Sequence, residues 1–95
     1  MGLFSSPADK YSQDRRPISD LDLKRLVSRV HADTLTQGEE SLVEQALLQE
    51  KRDHRGELSL QDIYIILNGL RRKKVISIND QNTLLSQFEK FFGKV

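Results

Sequence analysis

Four oxygen-bearing side chains fall within one short stretch, at intervals that suit a hard divalent cation. Counting from Lys51 as the first place of a loop that ends at Asp62, Asp53 stands third, Glu57 seventh, Ser59 ninth and Asp62 twelfth, with Gly56 sixth. Calcium takes about six to eight oxygen ligands, and a loop of this length supplies them from such places, with a glycine where the chain turns sharply. Leu58, in the eighth place, is apolar. Two other places that call for oxygen carry cations instead, Lys51 first and Arg55 fifth. Each would repel the ion by on the order of 1–4 kcal/mol per unit of ion charge at about 4 Å. Asp62 is also too short for the bidentate reach of the usual Glu. The pattern predicts a helix-turn-helix corner held by Gly56 and Leu58, without metal. Weak calcium binding by Asp53, Glu57, Ser59 and Asp62 is one alternative. A chance turn is another, since acidic, glycine-bearing turns between helices are common.

The flanking residues extend the pattern. Leu35-Thr36 opens the preceding segment, and Ile63, Ile66, Leu67 and Leu70 lead on to Leu84, Leu85 and Phe88. In this layout the chain resembles an EF-hand unit, calmodulin-like, over the stretch from Leu35 to Phe88. The resemblance implies two helices about a loop in an all-α fold, with Leu84 to Phe88 in the first helix of a second hand. No second loop is expected after Phe88. With Lys51 and Arg55 in ligand places, it implies an EF-hand-like core without calcium.

Other chemistry is sparse. His31 and His54 are the only histidines, and neither lies in a metal or nucleophile motif. Without cysteine, disulfide frameworks, zinc ribbons and thiol catalysis are excluded. No glycine-rich phosphate loop occurs, and the carboxylates are spread along the chain. The expectation is no enzyme and no cofactor. Arg71-Arg72-Lys73-Lys74 is the one dense basic run. It follows a helix C-terminus, where the dipole favours cations. Its functional alternative is contact with nucleic-acid phosphates or another anionic surface, including a winged-helix variant with Lys74–Ile78 as a short strand. Phe88, Phe91 and Phe92 cluster near the C-terminus. With Tyr64 they are the candidate protein-interaction residues, set against plain packing on the third helix.

Ninety-five residues bound the chain to one small domain with one modest core. An apolar fraction of 37% and a charged fraction of 31% suit helices with solvated outer faces. A formal net charge of +1 exerts no global pull on nucleic acid or membrane. No apolar run is long enough to span a bilayer, and no secretory signal begins the chain, so a cytoplasmic protein is expected. Residues 1–16 read as a disordered tail and residues 17–95 as one helical domain. Met1 to Ser6 fits the N-myristoylation pattern. Pro7 is disfavoured in that acceptor class, so lipidation at Gly2 is not expected.

Four helices must position these groups. The first starts at Ser19, with Asp22 completing a capping-box spacing, and Leu23, Leu26, Val27 and Val30 recur on one side. Lys24, Arg25 and Arg29 lie towards the other, as a solvated face or a binding site. His31 follows as a capping or surface residue. The second helix starts at Thr36 with Glu39, carries Leu42, Val43, Ala46 and Leu47 as its buried stripe, and fades near Glu50 or Lys51. The third starts at Ser59 with Asp62, buries Ile63, Ile66 and Leu67, and ends at Asn68-Gly69 with Leu70 folding back. The fourth starts near Ser77 with Asp80 and ends at Gly93. This amounts to a small all-α four-helix domain whose expected role is protein interaction, with another protein or with itself. Nucleic-acid binding and calcium sensing are the alternatives.

Overall fold

The computed structural model describes residues 10–31 and 35–93. The possible acceptor Gly2 and the rest of residues 1–9 lie outside them. Within the described residues the fold is all-α. Its helices are α1 (Asp20–His31), α2 (Gln37–Asp53), α3 (Leu60–Arg72) and α4 (Ile78–Gly93). A short antiparallel ribbon joins β1 (Arg16–Pro17) to β2 (Glu57–Leu58), with Arg16 opposite Leu58 and Pro17 opposite Glu57.

The helices begin through one repeated device. A buried aliphatic residue comes first, then a Ser or Thr, then an acid three places on. The sets are Ile18-Ser19 with Asp22, Leu35-Thr36 with Glu39, Leu58-Ser59 with Asp62, and Ile76-Ser77 with Asp80. The hydroxyl oxygens accept from the backbone N–H groups of Asp22 (3.0 Å), Glu39 (3.2 Å), Asp62 (2.9 Å) and Asp80 (3.0 Å). In the last three sets the carboxylate also accepts from the cap backbone N–H, which completes the capping box. Each box satisfies helix donors that have no intrahelical partner and pins an aliphatic anchor into the core.

α2 and α3 also end alike. The N–H of Gly56 reaches the Lys51 carbonyl at 2.8 Å and that of Val75 reaches Leu70 at 2.9 Å, while Arg55 and Lys74 donate to Arg52 and Arg71. This is the Schellman pattern, which needs a left-handed residue after the cap. Arg55 (φ 58°) and Lys74 (φ 63°) fill that place, although neither is glycine. The stop expected at Asn68-Gly69 is therefore displaced, and α3 continues to Arg72. Leu70 and Val75, the apolar pair across the turn, both pack against the core, and that packing sets where the helix ends. Lys74 to Ser77 form this turn and the α4 cap, not a winged-helix strand.

The core is continuous across all four helices. Leu23, Val27, Val30, Val43, Leu47, Ile63, Leu67, Leu84 and Phe88 are fully buried, as is Leu58 of β2. Each such side chain contributes about 1.5–3 kcal/mol relative to exposure. α1 packs on α2, α2 on α3, α3 on α4 and α4 back on α1. Leu42, expected in the α2 stripe, is 50% exposed, because the helical row that faces inward runs through Val43 and Leu47.

The segment before β1 also meets the helices. Tyr11, Ser12, Arg15 and Arg16 make contacts with α3 and α4. Tyr11 stacks on Tyr64 with ring centroids 4.9 Å apart, the Ser12 carbonyl accepts from the Gln61 N–H at 3.0 Å, and Arg16 donates to the Phe92 carbonyl at 3.1 Å. These residues lack helical periodicity, so nothing local marks them as ordered. Their partners lie more than 40 residues along the chain.

Candidate functional site

α1 and α4 leave an open groove between them, of about 610 Å³. Phe91, half-buried, supplies apolar surface within it, above the buried Leu26. Arg25 and Arg29, one turn apart on α1, and Lys90 on α4 stand exposed along its walls, with Asp22 and Glu89 also present. Among the described residues, Arg25, Arg29 and Lys90 form no ion pair. Leu21 lies one turn before Arg25 on the same row and is 57% exposed. The α1 charges therefore border a groove of mixed lining, in which Ser86, Gln87, Asp22 and Glu89 accompany Leu26 and Phe91.

The aromatic candidates separate. Phe88 is fully buried, which removes it from any surface role. Phe91 and Phe92 are half-buried and meet edge to face with centroids 5.4 Å apart. Only Phe91 lines the groove; Phe92 lines a smaller hollow of about 240 Å³ beside Ser12, Arg16 and Leu60. Tyr64 is covered in part by Tyr11. Burial raises the Tyr11 pKa above its ordinary value, with smaller contributions from Glu89 and Tyr64.

The loop residues are engaged with other partners. Asp62 is buried, and Arg15 donates to it through Nε at 2.9 Å and Nη2 at 3.3 Å. Burial opposes its charged form. The hydrogen bond from Arg15, those with Ser59 and the Arg15 charge together outweigh burial and hold the carboxyl below its ordinary value. The Ser59 hydroxyl serves as a helix cap. Asp53 is exposed and accepts from Gln49 at 3.2 Å, while Glu57 lies in β2. Of the four candidate calcium ligands, Ser59 and Asp62 are thus joined in the α3 cap and Asp53 is paired with Gln49. Lys51 pairs with Asp20 at the start of α1, and that hydrogen bond is the main cause of a lowered Asp20 pKa. Arg55 is exposed on its left-handed turn.

A different set is gathered here. Glu50, His54 and Asp62 place one oxygen, one ring nitrogen and one oxygen within 4.8 Å of one another. His54 Nε2 lies 2.8 Å from Glu50 Oε2. The sequence signal was the Glu50–His54 spacing of one helical turn, which no motif search would flag alone. Arg15, assigned to the tail, had no signal at all.

The basic run divides. Arg71 is partly buried, and its Nη2 donates to Asn68 Oδ1 at 3.0 Å. Arg72, Lys73 and Lys74 are exposed. Arg71 and Lys74 share a shallow hollow with Glu39 and Asp80, the acids of the α2 and α4 caps.

Compared with known proteins, the chain matches no family model, no curated protein and no solved structure.

The groove has walls from two different helices, with Arg25, Arg29 and Lys90 unpaired among the described residues. Among the described residues, no helix is long and apolar enough to cross a membrane.

Proposed function

We propose that the protein is a small, non-catalytic interaction module that docks an acidic, apolar-faced segment of a partner protein between α1 and α4. The observation that carries this reading is the placing of Arg25, Arg29 and Lys90, unpaired among the described residues, around Leu26 and Phe91. An amphipathic helix binds such a groove by seating apolar anchors on the floor. Acidic residues on its flanks meet the cationic walls, which favours encounter and fixes orientation. In this reading Phe91 is the contact residue, with Phe92 edge to face against it. The loop Lys51–Asp62 serves as a structural corner of EF-hand-like layout, without calcium. Support for that comes from Asp62 and Ser59, which are committed to Arg15 and to the α3 cap. A cytoplasmic setting belongs to the same reading.

Selection of a random-peptide phage library on the protein tests it, with the leading peptide then synthesised and titrated by fluorescence polarisation. Enriched sequences are expected to carry Asp or Glu around apolar anchors. Their affinity should fall by about tenfold or more in the Arg25→Glu/Arg29→Glu double variant and weaken with salt. Failure to enrich any sequence, or equal binding to the charge-reversed variant, overturns the reading. Nucleic-acid binding through Arg72, Lys73 and Lys74 draws less support, because Arg71 is tied to Asn68 and acidic caps adjoin the run.

A further inference from the structure

Glu50, His54 and Asp62 lie at the corner between α2 and α3 and include none of the residues that line the α1–α4 groove. We infer that these three side chains form a binding site for a divalent transition-metal ion of the zinc class, and that Arg15 is the internal cation that occupies it in the ion's absence.

The donor set decides the class of ion. One imidazole nitrogen and two carboxylate oxygens suit zinc, cobalt or nickel, whereas calcium requires a larger, all-oxygen set. The distances fit. Zinc bonds of about 2.0–2.1 Å in tetrahedral geometry put ligand atoms about 3.3 Å apart. The three atoms already lie within 4.8 Å of one another, and the His54–Glu50 contact of 2.8 Å needs to open by only about 0.5 Å. The backbone holds them in place without an ion. Glu50 and His54 lie one turn apart at the end of α2, and Asp62 is fixed in the first turn of α3 by its capping box. The Glu50 and His54 side chains are about one-quarter exposed and that of Asp62 is 9% exposed, so the cluster is walled by protein yet open enough for a water as fourth ligand.

Arg15 is the competitor. Its guanidinium spans both oxygens of Asp62, and its side chain is 45% exposed on the segment before β1. A metal ion that takes Asp62 displaces that guanidinium, so metal binding and the docking of residues 10–16 oppose each other. Removing the Arg15 charge should therefore tighten metal binding, which a purely structural ion-pair network does not predict.

The test is a cobalt(II) titration of the whole protein, followed by visible absorption and by amide NMR, in the unmodified protein and in Arg15→Gln, His54→Ala, Glu50→Gln and His31→Ala. One equivalent of cobalt should bind, with bands of low-symmetry four-coordination and amide shifts centred on Glu50 to Asp62. Arg15→Gln should bind about tenfold more tightly, the equivalent of about 1.4 kcal/mol. His54→Ala and Glu50→Gln should each weaken binding by about tenfold or more, and His31→Ala should leave it unchanged. Dispersed amide spectra of the variants show that each remains folded. The inference is overturned if neither the unmodified protein nor Arg15→Gln binds cobalt at millimolar concentration, or if affinity follows His31 and not His54.

Discussion

Arg15 and Asp62, 47 residues apart, meet through two hydrogen bonds from one guanidinium to one carboxylate, at 2.9 and 3.3 Å. This contact ties the segment before β1 to the first turn of α3. It also commits the residue that the loop would otherwise present to a cation in its twelfth place. The same carboxylate accepts from the Ser59 backbone N–H at 3.0 Å, so it is at once a helix cap, a strap anchor and a candidate metal ligand.

The depressed pKa of Asp62 has a defined consequence for acid stability. Burial opposes ionisation, and the hydrogen bonds from Arg15 and Ser59 outweigh it. A carboxyl whose folded pKa lies below its ordinary value of 3.8 contributes stability that is fully present above that value. The contribution is lost as pH falls through the lower, folded value. Asp62→Asn should lose about 1–2 kcal/mol near neutral pH through the weakened cap. Its stability should also depend less steeply on pH below about 4. Urea denaturation at a series of pH values checks both, and an unchanged acid slope would remove Asp62 from this role.

Lys74 sits in the left-handed region without being glycine, at the end of α3. Side chains in that region cost about 1–2 kcal/mol, against about 0.5–1 kcal/mol for the greater backbone freedom of unfolded glycine. Lys74→Gly should therefore stabilise the protein by about 0.5–1 kcal/mol. A melting temperature that fell on this change would show that the Lys74 side chain supplies more than its conformation costs.

Phe88 and Phe91 should behave oppositely. Phe88→Ala removes a fully buried ring from the centre of the core and should destabilise by about 3–5 kcal/mol. Phe91→Asp changes a half-buried groove residue. It should cost less stability while abolishing capture of peptides selected on the unmodified protein. Thermal melts and the polarisation assay separate the two effects. Similar losses of stability at both sites would mean that Phe91 belongs to the core.

Tyr11 should hold the segment before β1 in place. Its ring stacks on Tyr64 at 4.9 Å, and pairs of this kind contribute about 0.5–1.5 kcal/mol beyond burial. Tyr11→Ala should lower stability by about that amount. It should also speed hydrogen exchange at the Gln61 N–H, whose acceptor is the Ser12 carbonyl. Exchange at Gln61 no faster than in the unmodified protein would show that the segment is held by Arg15 and β1 alone.

The amino-acid sequence by itself determined where the helices begin. Ser19, Thr36, Ser59 and Ser77 each stand three residues before an acid, and each forms its cap as the spacing requires, because capping is settled within one turn of chain. Periodicity likewise marked Leu23, Val27, Leu67 and Leu84 as core residues. Tertiary structure alone decided the rest. The end of α3 moved past Gly69 because the packing of Leu70 and Val75 chose the turn. The segment Tyr11–Arg16 became ordered through Tyr64, Asp62 and Leu58, partners too distant in sequence to leave a local pattern. Lys51 and Arg55 carry the charges that depart from a calcium loop. One pairs with Asp20 on another helix and the other sits on a left-handed turn. The groove is built from one face of α1 and one of α4, and the cluster Glu50–His54–Asp62 from the ends of two helices. Local propensity sets each element, but a site exists only where packing brings faces from separate elements together.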